Sequence, residues 1–253
     1  ELVSAIISYN ILNESKSTKN FIKYSEKVES LFTPYANCNI LVELFSKKLE
    51  LTGKDINLLK RIIKVLESKE CLDTDLFFKA SEMLYEIEPS AHLANVMSKM
   101  SISRDSPSNA IKYAKKAVEI EQDLREKAKY YLALADAYRY SSSFINARNA
   151  VYSALDLRPG WGEAYMSLGH IYIAGASNCS SDFKKTTDYW VAVDAFKKAR
   201  SDQATKERAN KSINTYSKYF PTKETCFFNG LESGKSYTVE CWINKNTIVR
   251  TID

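Results

Sequence analysis

Cysteine and histidine are the side chains in this sequence best suited to metal binding or nucleophilic chemistry. The chain of 253 residues contains five Cys and two His. No two cysteines have the CxxC spacing, and a zinc site needs four ligands at tight spacing. We therefore expect no metal site and no cofactor. The residues concerned are Cys38, Cys71, Cys179, Cys226, Cys241, His92 and His170.

His170 and Cys179 form the one pairing that invites comparison with a Cys–His nucleophile. Such a pair needs direct contact, a third group that orients the base, and a site for the oxyanion. Cys179 lies in a polar stretch without a glycine-rich motif. The chain also has no phosphate-binding loop, GxSxG or HExxH motif. We predict no catalytic residues and no enzyme activity.

The cysteines could instead form disulfides, although an odd number leaves at least one thiol free or paired between chains. Cys38 and Cys71 fall in neighbouring helical units, where they are either bonded or two buried thiols. Cys226 and Cys241 could face each other across a β element, and Cys179 could reach either one. The sequence leaves this connectivity open. Two disulfides and one thiol would suit an oxidising compartment.

Composition restricts the classes of protein that this chain can be. Hydrophobic residues make up 45% and charged residues 26%, so a sizeable core can form. Only seven Gly and five Pro are present, which favours long helices. The net charge of +5 is scattered among acidic residues, so we expect no nucleic-acid partner. No apolar run approaches the roughly 18 residues of a membrane span, so we expect a chain that does not cross a membrane.

An internal repeat decides the predicted fold. Its first helix contains, in order, a large residue, Leu, a small residue and Tyr. Its second helix is rich in Ala and ends at Pro. The pattern returns after about 34 residues, which is the length of a tetratricopeptide (TPR) repeat. Small residues at these positions let paired helices approach closely. The clearest unit has Tyr131, Leu134, Ala135, Tyr138, Ala147, Ala154 and Pro159. The next has Tyr165, Leu168, Gly169, Tyr172, Ala192, Phe196 and Ala199, and a weaker one has Ala94, Met97, Ser98, Ala110, Ala114 and Ala117.

The predicted fold class is an all-α TPR-type solenoid, a right-handed superhelix of helix pairs, with a short C-terminal β hairpin. Residues 1–53 are predicted to be divergent helices, residues 54–220 the TPR array with a capping helix, and residues 221–253 a β extension. About ten extra residues between Tyr172 and Ala192 are expected in the turn of the third clear repeat. Further elements are predicted as helices at 2–12, 19–31, 37–49, 56–66, 74–85 and 206–220, and as strands at 236–243 and 247–251 joined at 244–246.

Three runs resemble a group of exported TPR proteins from bacteria with an outer membrane. They are RPGWGEAYMSLGHIYIAGASNC, DYWVAVDAFKKA and INTYSKYFPTKETCFFNGLESGKSYTVECWI, and the resemblance extends upstream through ECLDTDLFFKASEMLYEIEPSA to cover most of the chain. In such proteins a signal peptide precedes the repeats. The resemblance thus implies an exported protein, periplasmic or associated with the outer membrane, whose signal peptide has been removed. It implies no particular activity.

The default binding site of this architecture is the concave groove, lined by outward positions of each first helix. Its apolar and charged groups could hold a segment of another protein or peptide, could simply be solvated, or could be covered by the chain's own termini. A clamp for a C-terminal carboxylate would be incomplete, with only Asn95, Lys99 and Arg139. The predicted groove residues are Asn95, Lys99, Leu132, Asp136, Arg139, Tyr140, Met166, His170 and Ile173.

The leading functional prediction is therefore a non-catalytic scaffold or adaptor in the cell envelope. The alternative is glycan or peptidoglycan binding, because Trp242 in the predicted hairpin is the tryptophan expected to be exposed, and an exposed indole can stack on a sugar ring. Trp161 and Trp190 are instead expected to pack between helices. An edge of the hairpin could also mediate a homodimer.

Overall fold

The computed structural model of the chain describes residues 36–178 and 182–252, which fall into two compact units divided between Ile87 and Glu88. The helices predicted at 2–12 and 19–31 lie outside the described residues, as does Cys179. The division at residues 53 and 220 that the sequence suggested stays a prediction.

Within residues 36–87, the described part of the first unit, lie the helices α1 (Cys38–Thr52), α2 (Ile56–Ser68) and α3 (Asp75–Ile87). Polar side chains begin the first two: Asn37 accepts a hydrogen bond from the backbone N–H of Ile40, and Asp55 accepts one from that of Leu58. These caps satisfy backbone donors that have no partner within the helix.

A disulfide joins Cys38 and Cys71 within this unit, with their Cα atoms 5.5 Å apart. It links the start of α1 to the connection between α2 and α3. Of the two alternatives that the sequence offered for these cysteines, the structure has the bonded one.

The described residues of the second unit form three helix pairs followed by shorter elements. Within each pair the two helices pack along their length, with fully buried alanines such as Ala114, Ala135 and Ala154 at the contact. At Gly169 even a methyl group would not fit, since a Cβ there would lie 2.4 Å from the Phe196 ring. The pairs are α4 (Ala91–Ser103) with α5 (Pro107–Ile120), α6 (Leu124–Tyr140) with α7 (Phe144–Leu157), and α8 (Gly162–Gly175) with α9 (Asp182–Ala199).

The same tight turn connects the helices in three successive pairs. Glu70, Asp105 and Ser142 have φ values of 58°, 52° and 58°. In each case the next backbone N–H bonds back to a carbonyl in the last turn of the first helix. These bonds are Cys71 N to Leu66 O, Ser106 N to Ser101 O and Ser143 N to Tyr138 O, each 2.8 Å long. The α2–α3 pair is therefore joined in the same way as the two later pairs.

The extra residues of the third pair do not all form a turn, which corrects the prediction. A 3₁₀ turn, Ala176–Asn178, follows α8, but α9 begins at Asp182 and runs for 18 residues. Much of the insertion therefore lengthens the second helix. Trp190 is consequently in mid-helix and fully buried, and its indole N–H donates to Arg250 O at 2.8 Å.

The chain after the last pair differs from the predicted layout. Helix α10 (Lys206–Tyr216) and the 3₁₀ turn Ser217–Tyr219 cover the predicted capping helix. A short helix, α11 (Lys223–Phe228), was not predicted; the side chain of Thr222 caps its start. Strands β1 (Ser236–Val239) and β2 (Lys245–Ile248) then form an antiparallel hairpin.

The connection of this hairpin lies earlier than predicted. The proposed connection at 244–246 is wrong, because Lys245 and Asn246 already pair with Val239 and Thr238. Cys241 and Asn244 provide the turn with positive φ values of 63° and 43°. The hairpin is not isolated, since Arg250 binds Asp194 at 2.5 Å and Lys184 binds Glu240 at 2.8 Å, both joining it to α9.

Two predictions about this region are wrong. Trp242 is partly buried, and its indole N–H donates to Gly175 O at 3.0 Å. Cys226 is a buried free thiol on α11 and does not pair with Cys241. Cys241 is disulfide-bonded elsewhere, in an exposed turn whose sulfur lies 3.8 Å from Asn178 O. The turn faces the end of α8 rather than α11, which separates the two cysteines.

Candidate partner-binding groove

The first helices of the repeats form the inner row of the second unit. Helix α6 contacts both α4 and α8, whereas the second helices pack chiefly against first helices. Because the first helices lie closer to one another than the second helices do, the array curves with α4, α6 and α8 on its concave side. We call their outward-facing surface the groove.

The structure places the predicted groove residues at different depths. Lys99, Asp136, Arg139, Tyr140 and His170 are exposed. Asn95, Leu132 and Ile173 are half-buried, so their outer atoms face the groove. Met166 is only 6% exposed and joins the apolar core, since a flexible thioether readily fills gaps between helices. Its prediction as a surface residue is therefore wrong.

Three of the exposed polar side chains are occupied by partners. Arg139 and Asp136, one turn apart on α6, form an ion pair of 3.3 Å. The hydroxyl of Tyr140 donates to Asp105 Oδ1 at 2.8 Å and so links the ends of α4 and α6. These contacts fix the shape of the α6 surface and leave it close to electrically neutral.

Asn95 and Lys99 on α4 remain available. Asn95 Oδ1 is buried and has no hydrogen-bond partner in the described part of the chain. A buried amide oxygen without a donor costs free energy until one is supplied. Lys99 has no ion pair within residues 36–178 and 182–252. One turn of α4 thus places an exposed positive charge beside a buried amide oxygen that has no partner among the described residues.

Helix α10 forms the C-terminal end of the groove. The ring of His170 lies 5.2 Å from that of Phe196 and 6.4 Å from that of Tyr216. Packing against these rings removes water from the imidazole and lowers the pKa of His170, and the charges of Arg139 and Arg208 lower it further against the opposing effect of Asp136.

Sequence reasoning missed the residues that α10 contributes. Arg208 pairs with Glu163 of α8, and Tyr216 contacts His170. The sequence analysis assigned α10 only a capping role. A signal for these contacts was nevertheless present in the sequence. Glu163 and His170 lie on the same face of α8, and the next helix of the array must pack beside that face.

Comparison with known proteins finds similarity to solved structures. No protein-family profile matches the chain, and no curated protein sequence matches it. YrrB, described as a TPR protein with an unusual peptide-binding site, has a TM-score of 0.53 and 17% identity, covering 84% of this chain and 99% of that one. The chain has a tetratricopeptide-repeat fold. The predicted fold class is thereby confirmed.

Two structures of MamA support the same TPR assignment. Their TM-scores are 0.51 and 0.50, with 16% and 18% identity. They cover 76% and 68% of this chain, and 99% and 85% of their own. At these identities the likeness concerns the fold alone. Among the described residues, none of the helices combines the length and apolar character needed to cross a membrane.

Proposed function

We propose that this TPR protein is a non-catalytic scaffold that binds an extended segment of another protein in the groove. The observation that carries the proposal is the half-buried surface of the inner helix row, where Asn95, Leu132 and Ile173 each keep part of the residue exposed. A bound peptide would cover this remaining surface with its own side chains.

Rigidity of the groove supports this proposal. The Arg139–Asp136 and Tyr140–Asp105 contacts hold the inner surface in one arrangement before any partner arrives. A preformed surface loses less conformational entropy on binding. YrrB, which shares the fold, is described as having a peptide-binding site. We propose the same general use here, with different residues.

An exported location accords with the disulfides. Cys38–Cys71 is bonded, and Cys241 is also disulfide-bonded. Structural disulfides persist in oxidising compartments and are rare in the cytosol. We propose the periplasm or the outer-membrane surface. Pairing of two copies through the hairpin edge stays a prediction.

The alternative of glycan binding depended on an exposed Trp242, and Trp242 is partly buried. The Trp242 ring packs on Phe144 and Tyr172 at 5.6 and 5.8 Å between centroids. With its N–H bonded to Gly175 O as well, the indole is committed to the fold. Glycan binding is therefore not carried forward.

The test is selection of peptides from a random display library on the wild-type protein, followed by fluorescence anisotropy. We expect Asn95→Leu and Leu132→Asn to weaken peptide binding by about tenfold or more, as truncation of central interface residues does. Ile145→Asn is the matched control, since Ile145 is 51% exposed on the second helix α7. Its affinity should stay within about twofold of wild type.

Circular dichroism and thermal unfolding must show that all variants are folded. Equal binding by wild type and both groove variants would move the site away from the groove. Failure to select any binding peptide would count against peptide recognition itself.

A further inference from the structure

A second cluster of polar side chains lies where α7 and α8 meet the hairpin. Tyr152 of α7 and Tyr172 of α8 bring their hydroxyl oxygens within 3.2 Å. Lys245 Nζ of β2 is 3.4 Å from the Tyr152 hydroxyl and 5.8 Å from the centroid of each ring. Arg148 lies one turn before Tyr152 on α7. We call these four residues the Tyr152 cluster.

The cluster contains two positive charges without a carboxylate to balance them. Arg148 donates to the carbonyl oxygens of Trp242 and Ile243 at 3.1 and 2.7 Å. Neither Arg148 nor Lys245 has an ion pair within the described residues, and Arg148 Nε is buried without an acceptor. By contrast, Arg250 and Lys184 beside the same hairpin each pair with a carboxylate, Asp194 and Glu240 respectively.

The hydrogen-bonding capacity of the two phenols shows which hydroxyl proton has no partner within the cluster. A phenol oxygen accepts up to two hydrogen bonds and donates one. Either oxygen could be the donor between the two phenols. Because Tyr172 is fully buried and Tyr152 is 36% exposed, we assign the donor role to Tyr172. In that arrangement Tyr152 accepts from both Tyr172 and Lys245, and its own proton is available to a ligand. Lys245 likewise keeps N–H groups that Tyr152 does not use.

The titration behaviour of the two phenols agrees with this assignment. Burial alone would raise the pKa of Tyr152, but the hydrogen bond with Tyr172 and the charges of Lys245 and Arg148 bring it below its ordinary value. Burial and the bond with Tyr152 raise the pKa of Tyr172 well above its ordinary value. Tyr152 is thus a good hydrogen-bond donor in a positive environment.

We propose that the Tyr152 cluster binds a small oxyanion, either a phosphate group or a carboxylate, separately from the groove. Tyr152 O–H and Lys245 Nζ donate to its oxygens, and Arg148 adds positive charge from behind while holding the hairpin turn in place. Charge-assisted hydrogen bonds of this kind are stronger than neutral ones. The ligand would occupy the seam between α7 and β2, so its binding would also brace the hairpin against the solenoid.

The test uses inorganic phosphate and acetate as separate probes, titrated at constant ionic strength into the wild-type chain and followed by two-dimensional NMR. We expect saturable shifts in the amides around Lys245 with at least one probe. Lys245→Met and Tyr152→Phe keep the size of each side chain and should weaken binding by roughly tenfold. Lys184→Met is the matched control, because Lys184 is bonded to Glu240 on the same hairpin. It should bind as wild type does.

The outcomes of this titration distinguish the kinds of anion and test whether the Tyr152 cluster binds them. Binding of phosphate but not acetate would identify a phosphate site, and the reverse would identify a carboxylate site. Unsaturable shifts with both probes would overturn the proposal. Saturable binding that survives both cluster substitutions would also overturn it, since the anion would then lie elsewhere. None of these results depends on whether the groove binds a peptide.

Discussion

The indole of Trp242 fills the space that any side chain at position 175 would need. A Cβ built on Gly175 would lie 2.4 Å from Trp242 Cζ2. The backbone oxygen of Gly175 also accepts the indole N–H. Gly175 is the last residue of α8, so the absence of a side chain there lets the hairpin dock at the end of this helix.

Gly175→Ala should therefore destabilise the protein, although alanine is ordinarily the better residue in a helix. We expect a loss of about 1–3 kcal/mol in the free energy of unfolding, the usual result of overfilling a packed contact. Urea unfolding followed by circular dichroism and tryptophan fluorescence would measure it.

The control for this substitution is the same change in a Trp242→Ala background. With the indole removed, Gly175→Ala should cost almost nothing or stabilise slightly, giving a double-mutant coupling of the size of the original loss. An equal cost in both backgrounds would show that the Gly175–Trp242 contact is not the cause.

The Cys38–Cys71 disulfide should stabilise the first unit by restricting its unfolded chain. The two cysteines are separated by 33 positions. A loop of this size predicts a loss of about 2–4 kcal/mol when the double variant Cys38→Ser/Cys71→Ser is compared with wild type in urea. Cys226→Ala serves as the control, since it changes a thiol that forms no disulfide. Unchanged stability of the double variant would contradict this role of the bond.

Asp188 should make stability fall as pH rises. Burial raises the pKa of Asp188 to about 7, above its value in an unfolded chain, near 4. The folded state therefore binds this proton more tightly, and the favourable contribution is complete below about pH 4 and lost between about pH 4 and 7. The change should reach a few kcal/mol, since one pKa unit corresponds to about 1.4 kcal/mol.

Comparison with Asp188→Asn isolates this carboxyl from other groups. The pKa of His170 is lowered in the folded state, so that group favours stability at higher pH and opposes the trend. Subtracting the unfolding free energies of the variant from those of wild type at each pH removes the histidine contribution. A difference that stays flat from pH 4 to 8 would exclude Asp188 as the source.

The helix pairs could be predicted because closely packed helices require small residues at particular positions of the sequence. Ala135 and Gly169 must be small where helices approach, and Gly169 has the Phe196 ring directly above it. Such positions recur at a fixed period, so one chain suffices to detect them. The groove followed from the same register, and most of its predicted residues do reach the surface.

The features that the sequence analysis did not predict depend on contacts between distant parts of the chain. Trp242 in the hairpin turn bonds to Gly175, 67 positions away. Arg148 reaches 94 and 95 positions to the same turn. Neither local propensity nor repeat spacing carries information about such pairs. The burial of Met166 likewise depends on which neighbours cover it.

The turn between α6 and α7 provides a final prediction. Ser142 has a φ of 58°, a conformation that strains residues with a side chain but suits glycine. Ser142→Gly should raise the free energy of unfolding by about 0.5–1 kcal/mol, because relief of the left-handed strain outweighs the added freedom of the unfolded chain. Ser141→Gly is the matched control: Ser141 has a φ of −81° and its hydroxyl donates to Tyr138 O. That change should destabilise by a similar amount, so urea unfolding of the two neighbours should give opposite signs, and equal signs would contradict the backbone argument.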